Sequence, residues 1–343
     1  MALTPVVLAL NASGLAVAQS IAQALDAPLH GRTGRVGQAD AFFDNALDHA
    51  RDLFAAGVPI VGVCASGILI RAVAPLLSDK TQEPPVVSVA DDGSVVVPLL
   101  GGHRGANRLA RNIAKALNST AAVTTAGDVS LGVSLDEPPE GWALVNPQDA
   151  KGAMAALLSG GGASISGSQA AQAAWLADMP AGDAVTLSCD MMPQSDLGPH
   201  HLQFAPKRVT VGVGCARNCP PQELADLLRG ALNEAGVCDA AVHSINTISL
   251  KADEPAILEL AQELNVPLRL FSAEELEAEA PRLATPSDVV FAEVDCHGVS
   301  EGAALAQLGS EGKLWVQKRK TAHATVALGL ADRPLSDLRG AAR

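Results

Sequence analysis

Short β-branched and aliphatic runs alternate with stretches of helical spacing along the first part of the chain. Val6–Leu10, Ile60–Val63, Val86–Val89, Val95–Val97 and Ala122–Thr125 have the length and composition of strands. Behind Arg104, Leu109, Ile113, Ala116 and Leu117 recur at helical spacing. The alternation predicts a largely parallel sheet covered by helices, and so an α/β fold. After Asp128 the pattern blurs through Asp136–Glu140 and the Gly/Ser-rich stretch Ser159–Ser168, and Pro193–Pro206 reads as a linker rich in turn formers.

A clear pattern resumes at Val209–Val213. A helix follows, with Leu224, Leu227, Leu228, Ala231 and Leu232 on one face, Pro220 and Pro221 in its first turn and Gly236 at its end. Pro255 opens another helix before the strand Val266–Phe271, and Ser272 with Glu275 forms a capping box for the next. Strands near Val289–Ala292, Leu314–Gln317 and Ala324–Leu328 complete a second α/β unit. The expected architecture is two α/β sheet-and-helix domains, 1–130 and 208–330, joined by a smaller middle unit with its linker, 131–207, and followed by a tail, 331–343. A chain of 343 residues accommodates that organisation.

Composition narrows the function. A net charge of −13 opposes nucleic-acid binding, which draws on Lys and Arg displacing counterions. Aromatics are 3% and Tyr is absent, so a planar ligand must be held by aliphatic walls and backbone. A local cluster such as Lys318, Arg319 and Lys320 can still attract an anionic small molecule. The six cysteines lie far apart and read as reduced thiols. Cys215 and Cys219 lack the further ligands of a tetrahedral metal set, so no protein-bound metal is expected. The start of the chain lacks a basic region before its apolar run, and Val58–Leu77 carries Arg71 and Pro75. The expected setting is cytoplasmic, without membrane insertion.

Candidate chemistry concentrates in PLLGGHRGANRLA, Pro98–Ala110, which places Gly101, Gly102, His103, Arg104, Gly105 and Asn107 between a strand end and a helix start. Glycines let a ligand approach the backbone, and helix N-terminal amides attract anions. The segment lacks the Gly-Lys-Ser/Thr of a P-loop and the third glycine of a dinucleotide fingerprint. Upstream, Ser66 and Gly67 mark a strand-to-helix turn, with Arg71 about one turn later. Simple structural punctuation is an equal reading of such turns.

Taken with PPVVSVADDGSVVVPLLGGHRGAN and VTTAGD at Val123–Asp128, these residues resemble the N-terminal domain of the CbiG family. VGVGCARN (Val211–Asn218), ISLKADE (Ile248–Glu254), SEGAAL (Ser300–Leu305) and KRKTAHATVALG (Lys318–Gly329) resemble its C-terminal domain, which is also similar to stand-alone proteins of the CobE type. Gly101 stands where the family usually has Ser and Gly127 where it usually has Thr, while Gly302 interrupts the usual Glu-Ala-Ala-Ala run.

The resemblance implies cobalamin (corrin ring) biosynthesis: hydrolytic opening of the ring A δ-lactone of cobalt-precorrin-5A with release of acetaldehyde. Its alternative is non-catalytic carriage of a corrinoid intermediate. The two α/β units are expected to form a cleft for a tetrapyrrole that brings its own cobalt, with no other cofactor and with precorrin methyltransferases as separate partners. In that scheme His103 is the base and the Gly101 and Gly102 amides are oxyanion donors. Glu254 and Glu301 are candidates for a further proton transfer, and Ser66, Arg71, Arg104, Asn107, Asp128, Arg217, Lys251 and Lys318 are expected to contact the substrate.

Overall fold

The computed structural model describes residues 4–80, 82–195 and 197–336, except for the side chains of His103, Ala126 and Asp128. The chain separates into two compact units, Leu3–Glu137 and a second from Pro138 onward.

The first unit is a 7-stranded sheet in the order β3-β2-β1-β4-β5-β6-β7. Its strands are β1 (Val6–Ala9), β2 (Leu29–Arg32), β3 (Ala41–Phe43), β4 (Ile60–Val63), β5 (Val86–Val89), β6 (Val95–Leu100) and β7 (Thr120–Ala121). All neighbours are parallel except β5 and β6, which are antiparallel. Alternate residues of β1 point to opposite faces. Val7 and Ala9 pack with Ala18 and Ile21 of α1 (Leu15–Leu25) and Ile113 of α4 (Ala106–Leu117). Val6 and Leu8 pack with Phe54 of α2 (Ala46–Ala55) and Leu69 of α3 (Ser66–Val73). Burial on both faces explains the unbroken apolar runs of the central strands. Residues 122–125, expected as a strand, follow the two-residue β7 as loop and lead into α5 (Ala126–Ser130).

The second unit holds two sheets. In the middle one, β8 (Trp142–Leu144), β11 (His201–Pro206), β10 (Val185–Cys189) and β9 (Ala163–Ser166) lie in the order β8-β11-β10-β9, accompanied by α6 (Ala150–Leu158). Residues 201–206, expected as linker, are thus a strand, buried from Leu202 on. Trp175 stands edge-on to Phe204 in this core, with ring centroids 5.0 Å apart. His201, at the start of β11, is half-buried, with its Nε2 2.8 Å from Ser188 Oγ. Middle regions of this kind mislead because turn-forming composition is a weaker guide than the neighbour that pairs with the strand.

The last sheet is 5-stranded, β14-β13-β12-β16-β15, built from β12 (Val209–Cys215), β13 (Val242–Ile248), β14 (Leu268–Phe271), β15 (Gly312–Lys320) and β16 (Ala324–Ala331). α7 (Pro221–Ala235) and α8 (Pro255–Glu263) cover one face through Leu224, Leu228, Ile257 and Leu260. The capping box of Ser272 and Glu275 starts α9 (Ala273–Glu277). Val289–Ala292 is not a strand: it lies in α10 (Asp288–Val294), started by the Ser287 hydroxyl accepting from the Val290 amide. α11 (Val299–Leu308) lies on the other face, where Thr210 Oγ1 donates to Ala304 O at 2.8 Å.

Glycine lets α11 approach so closely. A Cβ on Gly212 would lie 1.8 Å from Ser300 O, and one on Gly329 would lie 2.7 Å from Leu308 Cδ1 and 3.0 Å from Ala304 O. The Gly-Val-Gly-Cys pattern here is a helix-packing device. No helix among the described residues is long and apolar enough to cross a membrane.

Candidate functional site

In the first unit the glycine-rich motif builds a tight corner. Gly101 (φ +75°) and Gly105 (φ +101°) bracket a single 3₁₀ turn, Gly102–Arg104, before α4 begins. A Cβ on Gly101 would lie 2.6 Å from Pro85 N, so both the left-handed backbone and the close neighbour require glycine. Asn107, 6% exposed, donates from Nδ2 to Thr125 Oγ1 at 3.0 Å and ties the first turn of α4 to the start of α5. This contact brings PLLGGHRGAN and VTTAGD together. Arg104 donates to Gln82 O at 2.8 Å and braces the preceding loop. The side chains of His103 and Asp128 lie outside the described residues.

Ser66 and Arg71 are not part of this corner. Ser66 follows β4 at the carboxyl edge of the parallel strands, where Val63 pairs with Val89. Because β6 runs antiparallel to β5, Leu100 pairs instead with Val86, at the other end of β5. Arg71 curls back to donate to Gly67 O at 3.0 Å. The carboxyl edge carries a cluster that the motif search missed: Asp91 Oδ2 accepts from Asn11 Nδ2 at 2.9 Å and from Ser13 Oγ at 2.8 Å. It sits where strand order reverses between β1 and β4, the usual place for a ligand in such sheets. Asn-Ala-Ser-Gly after the first strand was the available signal, and it is also an ordinary turn.

In the second unit the loops after β12 and β13, the N-terminus of α11 and the β15–β16 turn surround a cavity of about 810 Å³, within the range of small-molecule sites. Arg217, Lys251 and Lys318, scattered in sequence, all line it. Arg217 is paired with Asp253 at 2.6 Å, and Lys318 Nζ donates to Thr285 O at 3.1 Å. Burial pushes the Cys215 thiol up to about 11, so at neutral pH it stays protonated and is a poor nucleophile or metal ligand. His323 lies in the β15–β16 turn, with its Nδ1 2.9 Å from Glu223 Oε2.

The two glutamates differ. Glu254 is 1% exposed and neither oxygen accepts a hydrogen bond among the described residues, while Lys251 Nζ and Arg217 Nη1 stand 3.8 Å away. Glu301 is equally buried but saturated: it accepts from the Ala284, Thr285 and Lys318 amides at 2.8–2.9 Å and from Thr285 Oγ1 at 3.1 Å. In that geometry the Glu301 carboxylate, expected as a proton-transfer candidate, ties a loop and a strand in place through four accepted hydrogen bonds.

The scaffold is mixed α/β, and its cavity lies at the carboxyl ends of the parallel strands β12 and β13, with Arg217, Lys251, Lys318 and Lys320 among its lining residues. Two family models match, "Cobalamin synthesis G N-terminal" over residues 48–128 and "Cobalamin synthesis G C-terminus" over 209–329. The cobalt-precorrin-5A hydrolase of Salmonella typhimurium is 30% identical over 94% of this chain and 96% of its own. Protein CobE of a Sinorhizobium species is 48% identical over 38% of this chain and 86% of its own. The crystal structure of a putative cobalamin biosynthesis protein G homolog from Sulfolobus solfataricus is 21% identical, covers 95% of this chain and 97% of its own, and has a TM-score of 0.35. The chain belongs to the cobalamin synthesis G (CbiG) family.

Proposed function

We propose that this protein hydrolyses the ring A δ-lactone of cobalt-precorrin-5A to give cobalt-precorrin-5B and acetaldehyde. The observation that carries this reading is the 30% identity with a cobalt-precorrin-5A hydrolase along 94% of the chain. The cation-lined cavity of the second unit supports it, because the substrate is a polycarboxylate.

In the proposed scheme His103 takes a proton from water as it attacks the lactone carbonyl, and the Gly101 and Gly102 amides face the developing oxyanion. Collapse breaks the ring C–O bond and leaves a carboxylate and a hydroxyl. The freed hydroxyl then loses its proton, which we assign to Glu254, as the C–C bond to the macrocycle breaks; the two-carbon fragment leaves as acetaldehyde and the electron pair stays on the conjugated ring, which takes up a proton. Cobalt belongs to the substrate, no further cofactor enters, and Arg217, Lys251 and Lys318 meet peripheral carboxylates. The setting is cytoplasmic, with precorrin methyltransferases as the neighbouring enzymes.

Single-turnover incubation with cobalt-precorrin-5A tests the scheme. Wild type should release acetaldehyde, and His103→Ala and Glu254→Gln should each slow release by roughly 10²–10⁴-fold. Release at the wild-type rate under saturating substrate would remove either residue from the chemistry. The 48% identity with CobE favours a second reading, carriage of a corrinoid intermediate without reaction. Tight binding with unchanged ligand and no acetaldehyde would select it.

A further inference from the structure

The cavity of the second unit contains a helix end and a buried hydroxyl that are not among the expected site residues. α11 starts at Gly298, which has no side chain, and no side-chain hydrogen bond caps the helix. The first amides of a helix need an acceptor from outside it. Gly298, Val299 and Ser300 line the cavity, so this helix end opens into it. Ser300 adds an independent observation: its side chain belongs to a residue only 2% exposed, and its Oγ has no hydrogen-bond partner among the described residues. A buried hydroxyl without a partner is destabilising, and an anion that accepts from it relieves the penalty. Lys251 and Lys318 line the same cavity, and Glu293 is the acidic side chain among the described lining residues. The first turn of α11, Lys251 and Lys318 therefore border one space, with the buried Ser300 hydroxyl at the same helix end, a combination suited to an oxyanion.

We propose that the first turn of α11, the Ser300 hydroxyl and the Lys251 and Lys318 ammonium groups form a subsite for one carboxylate arm of the ligand. The subsite belongs to the second unit alone and rests on the reading of that ligand as a corrinoid polycarboxylate. Close packing of Gly212 against Ser300 O holds the turn rigidly, so the subsite is preorganised.

The test is an absorbance titration of the full chain with cobyrinic acid and with its fully methyl-esterified form, for wild type and Ser300→Ala. The acid should bind wild type at least about tenfold more tightly than Ser300→Ala, a hydrogen bond to a charged group being at stake, while the ester should bind both proteins equally. The melting temperature should be unchanged, since the deleted hydroxyl has no partner among the described residues. Equal affinity of both proteins for the acid overturns the subsite and leaves the functional reading standing. Amide NMR with glutarate separates the opposite failure. If cobyrinic acid does not bind, glutarate-induced shifts of the Val299 and Ser300 amides that vanish in Ser300→Ala support the subsite, and the corrinoid reading falls. Absence of those shifts overturns the subsite, as does tighter binding of inorganic phosphate than of glutarate at the same amides.

Discussion

Glu254 and Glu301 are chemically identical and equally buried, yet their surroundings differ in how many hydrogen bonds they offer. Removing the Glu301 carboxylate strands three backbone donors and a threonine hydroxyl in the interior. Glu301→Ala should therefore destabilise the second unit by roughly 3 kcal/mol or more, at about 1–3 kcal/mol for each unsatisfied group. Chemical denaturation checks this, and a loss below about 1 kcal/mol would show that water or a shifted loop replaces the tie. In the first unit, His30 Nδ1 lies 2.9 Å from His49 Nε2, so one ring must donate and the other accept. Burial lowers both pKa values below the ordinary range, and for His30 the neighbouring ring adds to the effect. Depressed folded values mean that the neutral pair contributes stability above about pH 6.5 and loses it as pH falls through the folded values. The Tm of wild type should thus drop more between about pH 7 and 5 than that of His49→Gln. Parallel slopes would contradict this assignment.

At the scale of elements, the contact of α11 with β12 and β16 organises the second unit. It depends on glycine at two strand positions, as the Cβ approaches show. Gly212→Ala must push Ser300 and its helix away, and should cost about 3 kcal/mol or more through overpacking. A crystal structure of Gly212→Ala with α11 unmoved and full stability would refute that account. Periodicity located α4, α7 and α8 and the strands β1, β4, β5 and β12, because each buries a consistent face. It failed at Val289–Ala292, where a short apolar β-branched run is ambiguous and the Ser287 cap decides for helix. It also failed at residues 201–206, whose strand identity comes from pairing with β10 and β8.

For the whole molecule, the division at Glu137/Pro138 places the middle and last sheets in one compact unit. Limited proteolysis should therefore cut first within 132–140, where Gly132, Pro139 and Glu140 are exposed, and should spare the buried β11. Early cleavage inside 201–206 would contradict the strand assignment. The amino-acid sequence by itself determined the α/β class, the family and the positions of Arg217, Lys251 and Lys318 as candidate ligands, because these depend on local periodicity and on ordered motifs. Tertiary structure alone decided that those cations share one cavity, that Ser66 and Gly101 lie at opposite ends of β5, and that one buried glutamate is saturated while the other accepts no hydrogen bond among the described residues. The physical reason is that strand direction and hydrogen-bond occupancy are set by neighbours distant in sequence, and these leave no mark on the local pattern.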